Sequence, residues 1–150
     1  MPSSYTCLYY HIIFSTKRRL PQITPDLRER LYPYLAGIIT NQKGHLLAVG
    51  GMPDHVHLLV SLPAHTSVSD VLRLVKSNSS KWVHETFASK RDFAWQDGYA
   101  AFSLSFSNRD AVRRYIAAQD RHHRRVSFQD ELTEFLKRHE IAYDERYIWA

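Results

Sequence analysis

Asp54-His55-Val56-His57-Leu58-Leu59-Val60 is the stretch on which the reading of this chain turns. Val56, Leu58, Leu59 and Val60 make a short apolar run, the mark of a buried strand. Side chains alternate across a strand, so His55 and His57 share one face while Val56 and Leu58 occupy the other. Two imidazoles so placed can both reach one divalent cation, and neutral imidazole is the commonest nitrogen ligand for such metals. A bare His-x-His pair fits equally well one core histidine and one solvated histidine, so the surrounding chain has to decide.

Immediately upstream, His45-Leu46-Leu47-Ala48-Val49 reads as a strand and Gly50-Gly51-Met52-Pro53-Asp54 as a turn, which makes the His-x-His strand one arm of a hairpin. Pro63 ends it. Farther upstream, residues 5–15 are rich in aromatic and β-branched types and form a first strand, with Leu8, Tyr10, Ile12 and Phe14 on one face. Lys17-Arg18-Arg19 follows at the strand exit, either a phosphate-binding patch or a solvated turn. Thr24-Pro25-Asp26 starts a helix, and Leu27, Leu31, Leu35 and Ile38 keep helical spacing up to Gly44. Pro33 inside that pattern predicts a kink.

Downstream, Ser67 and Asp70 look like a capping-box variant opening a second helix that buries Val68, Val71, Leu72 and Val75. Its far end, Lys76-Ser77-Asn78-Ser79-Ser80-Lys81-Trp82, suits a sugar-phosphate backbone and a stacked base. It suits equally a core tryptophan among poor helix formers. Tyr99–Phe106 reads as a fourth strand. Asn108 is expected to cap a third helix on which Val112, Tyr115, Ile116 and Gln119 share a face. Gln119 is costly to bury there without a partner. Arg121-His122-His123-Arg124-Arg125 is the most basic run in the chain. A last helix starts at Ser127 with Phe128, Leu132, Phe135 and Leu136 as its apolar stripe. The tail 143–149 carries Tyr143, Tyr147 and Trp149 and is expected to dock.

The order strand, helix, strand, strand, helix, strand, then helices, is the α+β ferredoxin-like or RRM-like βαββαβ plan. It implies an antiparallel sheet with helices on one face and additional C-terminal helices, in a single domain over residues 1–150. That plan hosts many functions and does not decide the chemistry. A net charge of +5 favours a polyanionic partner. Cys7 is the only cysteine, which fits a reducing compartment, and no apolar run approaches a membrane span, so the reading is cytoplasmic.

The segment Met52–Val60 resembles the His-hydrophobic-His motif of HUH endonucleases. Tyr115-Ile116-Ala117-Ala118-Gln119 is similar to their single catalytic tyrosine with a glutamine one helical turn on. With Lys76-x-x-Ser79-Ser80-Lys81-Trp82, Trp95-Gln96-x-Gly98-Tyr99-x-Ala101-Phe102-Ser103 and His122-His123, most of the chain resembles the single-tyrosine transposases of IS200-like insertion sequences and their REP-associated relatives. The resemblance implies that His55, His57 and Gln119 hold Mg²⁺ or Mn²⁺. It implies that Tyr115 attacks single-stranded DNA beside a hairpin, giving a 5′-phosphotyrosine without a nucleotide cofactor. It also implies a homodimer in which the tyrosine of one subunit serves the histidine pair of the other. Lys17, Arg18, Arg19, Lys76, Lys81, Arg121, Arg124 and Arg125 are the candidate DNA-binding cations. Three other readings stay open: a non-catalytic nucleic-acid-binding module, a small metallohydrolase with further ligands, and a host role at repeated palindromes.

Overall fold

In a computed structural model, residues 4–148 are described. Tyr9–Ser15 (β1), His45–Met52 (β2), His55–Ser61 (β3) and Ala100–Leu104 (β4) pair as one antiparallel sheet in the order β2-β3-β1-β4. This is the spatial order of the βαββαβ plan. Pro25–Asn41 (α1) and Val68–Thr86 (α2) are its two crossover helices. Both strands at the centre, β1 and β3, are buried on both faces, as their near-continuous apolar runs require.

Alternation along these strands sorts the molecule into two layers. Ile12, Phe14, Val56, Leu58 and Val60 face α1 and α2, where Leu27, Leu31, Leu35, Ile38, Val71, Leu72 and Val75 complete the main core. The other face carries His11, Ile13, His55, His57 and Phe102. It is not left open: Arg109–Ala117 (α3), Gln119–His122 (α4) and Phe128–Arg138 (α5) lie on that side. Phe128, Leu132 and Leu136 of α5 join Ile13 and Phe102 in a second core. Helices therefore cover both faces rather than one, because the histidine face also carries apolar surface that must leave water.

Several expected boundaries move. β1 begins at Tyr9, and Phe106 lies in a 3-10 turn beyond β4. The hairpin turn shrinks to Pro53-Asp54: Gly50 pairs with His57 and Gly51 with Val56, so both glycines belong to the ladder. Gly50 is required there by a neighbour, since a Cβ would meet the backbone carbonyl oxygen of Ile116 in α3. α1 continues through Pro33 to Asn41. Ser67 and Ser127 cap α2 and α5, each accepting from the backbone N–H three residues on. Asn108 makes no such bond, because the preceding 3-10 turn already gives it helical dihedrals (φ −91°, ψ −1°).

The third helix is not continuous. It ends at Ala117, Ala118 takes φ −100° and ψ 18°, and Gln119 begins a new turn. Tyr115 and Gln119 are thus joined by a bend rather than by one helical face. In the tail, Tyr143 and Ile148 pack on the second core while Tyr147 is exposed. Trp149 lies outside the described residues. Among the described residues, no helix is long and apolar enough to cross a membrane.

Candidate metal and tyrosine site

The pairing of β1 with β3 buries His55 and His57 completely, and their rings point at the underside of the C-terminal helices. Asp54, at the turn, sets the tautomer of His55. Its carboxylate can only accept, so His55 Nδ1–H donates across 2.8 Å and the Nε2 lone pair is turned inward. Burial opposes ionisation of Asp54, but its hydrogen bond with His55 holds it below the usual carboxylate range. Phe128 stacks on the His55 ring at 4.0 Å and fixes its plane.

The centre of the site is Glu131 of α5, which is 3% exposed. Its Oε1 accepts from His57 Nε2 at 2.9 Å and lies 3.3 Å from His123 Nε2 and 3.8 Å from His55 Nε2. Its Oε2 accepts the Tyr115 hydroxyl and the amide of Gln119 at 3.3 Å, and lies 3.0 Å from His122 Nε2. Burial raises the Glu131 pKa, yet hydrogen bonds from His123 and His57 outweigh it and hold the carboxyl far below the usual range. His123 donates from Nδ1 to Val126 O at 2.7 Å, and its Nε2 faces two acceptors, Gln119 Oε1 at 2.9 Å and Glu131. Burial lowers its pKa, and the hydrogen bond and charge of Glu131 more than reverse that.

Two other shifts follow from the same surroundings. Burial pushes His57 down to about 4, against the pull of Glu131. His11, which donates from Nε2 to His57 Nδ1 at 2.8 Å, falls to about 3 through burial and the nearby His57. Tyr115 is half-buried; burial and then its bond to Glu131 push the phenol far above its ordinary value. Its ring packs against His57 of the same chain, 5.8 Å between centroids.

The donor atoms of His55, His57, His123 and Glu131 all lie within 4.8 Å of one another. Ligands about 2.1 Å from a cation and at right angles stand about 3.0 Å apart, so the spacings around Glu131 Oε1 fit one divalent ion. Gln119, buried, also reaches this pocket: its Oε1 lies 3.4 Å from His55 Nε2.

The candidate cations divide. Arg121, Arg124 and Arg125 line a groove that opens on Tyr115 and His122. Arg19 borders a cleft with Asp54, His55 and His123, while Lys17 and Arg18 are exposed on the adjoining 3-10 turn. Lys76 and Lys81 belong to α2, on the other layer. Lys76 Nζ is committed to the carbonyls of Gln96, at 2.9 Å, and Gly98. Trp82 stacks on Tyr34 at 4.4 Å, and buried Ser79 accepts from Trp95 Nε1 at 2.9 Å, so this segment is chiefly packing.

Sequence reasoning assigned no role to Glu131. The signal was there: Phe128, Glu131, Leu132, Phe135 and Leu136 fall at i, i+3, i+4, i+7 and i+8, which puts an acid inside an apolar stripe. His123 stood in the basic run and was equally unassigned as a ligand.

Residues 4–119 match the family described as Transposase IS200 like. The chain belongs to that family. Its relatives include the ISDra2 transposase TnpA of Deinococcus radiodurans, 24% identical over 75% of this chain and 84% of that one. The transposase for insertion sequence element IS200 of Salmonella typhimurium is 27% identical over 73% of this chain and 75% of its own. A crystal structure of a Deinococcus radiodurans protein assigned as a transposase superposes with TM-score 0.65 and 25% identity, over 79% of this chain and 96% of that one. The fold also matches a REP-associated tyrosine transposase bound to a REP hairpin, with TM-score 0.60 and 14% identity, over 96% and 93% of the two chains. The family match to this IS200-like transposase ends at Gln119, before His123 and Glu131.

Proposed function

We propose that this transposase cleaves and rejoins single-stranded DNA at hairpin-bearing ends, with Tyr115 as nucleophile. The observation that carries the reading is the convergence of the Tyr115 hydroxyl with the buried His55–His57 pair on one carboxylate. A tyrosine placed there has a chemical use that a packing tyrosine lacks. Its oxygen attacks the scissile phosphorus, the P–O3′ bond breaks, and the DNA is left with a free 3′-OH and a 5′-phosphate on Tyr115. The covalent link conserves the bond energy, so rejoining to another 3′-OH needs no nucleotide cofactor.

His55 and His57, with Gln119, would hold Mg²⁺ or Mn²⁺, the donor set being imidazole and oxygen without thiolate. Such an ion supplies Lewis-acid polarisation of the phosphate and stabilises the departing oxygen. The remaining work belongs to the chain. Asp54 and Phe128 orient His55, and His11 orients His57. Arg121, Arg124 and Arg125 bring phosphates to the tyrosine and fix the strand without reading its sequence.

Tyr115 reaches the histidine pair of its own chain, which supports a site complete in one subunit; the composite dimer expected from the resemblance is not needed for the tyrosine to reach its place. Burial of the histidine face beneath α3–α5 weighs against an RRM-like module reading bases with an open sheet. His123 and Glu131 would serve a metallohydrolase too, but hydrolysis has no use for a tyrosine hydrogen-bonded in the same pocket.

The test is incubation with a labelled single-stranded oligonucleotide carrying the element's end and hairpin. The reading predicts cleavage with an SDS-resistant protein–DNA adduct in Mg²⁺ or Mn²⁺, and loss of both in chelator or in His57→Ala. Full cleavage in EDTA contradicts it.

A further inference from the structure

Glu131 sits in α5, beyond the family-matched residues, yet more of the site's side chains meet on it than on any of the motif residues. A buried carboxylate is expensive unless it is paired and its lone pairs are satisfied. This one divides its oxygens between two tasks. Oε1 faces the Nε2 atoms of His57, His123 and His55, at 2.9, 3.3 and 3.8 Å. Oε2 faces away from that group, toward the Tyr115 hydroxyl, His122 and the Gln119 amide.

We propose that Glu131 is a metal ligand that ties the ion to the nucleophile: Oε1 and His123 Nε2 join His55, His57 and Gln119, giving a set with three imidazoles and one carboxylate, while Oε2 holds the Tyr115 hydroxyl beside it. The inference rests on the metal-dependent reading of the His pair. It goes beyond it in naming two ligands from outside the motif and a direct mechanical link between ion and tyrosine. A carboxylate can ligate through one oxygen and accept a hydrogen bond through the other, so neither task excludes the other. His123 is already fixed for this part by its Nδ1–H bond to Val126 O, the usual outer support of a ligating imidazole.

The donor set has a consequence for the ion. Three imidazoles shift preference away from Mg²⁺, which keeps to oxygen and water, and toward Mn²⁺ among the two. The C-terminal helix thereby becomes part of the active centre rather than a cover over it.

The experiment is titration of chelator-stripped, full-length protein with MnCl₂, followed by calorimetry and by loss of the free-Mn²⁺ EPR signal. Wild type should bind one Mn²⁺ at least about tenfold more tightly than Mg²⁺. Glu131→Gln, which keeps the shape and removes the charge, should weaken Mn²⁺ by about tenfold or more. Glu134→Gln, on the exposed side of the same helix, should bind as wild type does. If His57→Ala loses Mn²⁺ while Glu131→Gln binds within twofold of wild type, the ligand role of Glu131 is wrong and the His-pair reading survives. If neither change alters binding, both fall. Should Glu131→Gln not fold, anomalous diffraction from Mn²⁺-soaked wild-type crystals decides. A peak at bonding distance from Glu131 Oε1 supports the proposal, and a peak held by His55 and His57 with Glu131 turned away overturns it.

Discussion

Gly50→Ala should injure the site through the seat of α3 on the histidine face of the sheet, where Gly50 pairs with His57. The strand β2 passes beneath α3 at Gly50, where an added Cβ would stand 3.0 Å from Ile116 Cγ2 and nearer still to the Ile116 carbonyl oxygen. The obstructing atom is backbone, so no side chain can swing aside. Recovering an ordinary contact of 3.5–4.0 Å requires α3 to retreat by on the order of 1 Å. Overpacking of this kind costs about 1–3 kcal/mol. Tyr115 precedes Ile116, so its hydroxyl moves with the helix, and a displacement near 1 Å costs about 100-fold in rate, or about 2.7 kcal/mol of barrier. The companion variant is Gly37→Ala in α1, where nothing lies within 4 Å and the position is exposed. It should gain about 0.5–1 kcal/mol from helix propensity alone. Urea unfolding and the rate of adduct formation are measured for both. If Gly50→Ala matches wild type in stability and rate, the close seating of α3 on β2 does not position the nucleophile.

Stability should fall as the solution is acidified below about pH 6.5. The unfolded chain then protonates His11 and His57, whereas the folded chain keeps them neutral down to about 3 and 4. The unfolded state thus binds the extra protons, and each group contributes up to about 1.4 kcal/mol per pH unit; urea midpoints that stay flat from pH 6.5 to 4.5 would disprove this. Arg124→Ala with Arg125→Ala should weaken single-stranded DNA binding and flatten its salt dependence by about 0.7 per lost phosphate contact, with the adduct still formed at saturating DNA; an unchanged slope removes these arginines from the interface. Mixing His57→Ala with Tyr115→Phe under conditions of subunit exchange should leave cleavage dead, because each chain's own site keeps one lesion. Recovered cleavage would establish a tyrosine acting across a dimer.

Where sequence reading succeeded and failed has a physical pattern. The alternation of Val56-His57-Leu58 placed both histidines on one face, because a strand has only two. The 3.6-residue spacing of Leu27, Leu31, Leu35 and Ile38 gave α1 its buried face for the same local reason. Gln119 was reached by extending a helix that in fact bends at Ala118, so its place in the pocket comes from the bend and not from a shared helical face. Glu131 was passed over because its partners are 74 and 16 residues away in the chain, and only the packing of α5 on the sheet brings them together. Gly50 looked like a turn residue, since the demand that α3 makes on it comes from tertiary packing and leaves no local trace. Lys76 looked available for phosphate because the carbonyls that engage it lie 20 and 22 residues on.

The central claim is that Tyr115 carries the covalent bond to DNA, and the chain supplies a clean way to ask. Tyr115 stands between Arg114 and Arg121, so trypsin releases Tyr-Ile-Ala-Ala-Gln-Asp-Arg, a peptide whose only hydroxyl is that of Tyr115. The adduct formed with single-stranded DNA is trimmed with nuclease, digested with trypsin and analysed by mass spectrometry. The account predicts nucleotide mass on the 115–121 peptide, with fragmentation placing it on Tyr115. Nucleotide on any other peptide, with 115–121 recovered unmodified, would contradict it.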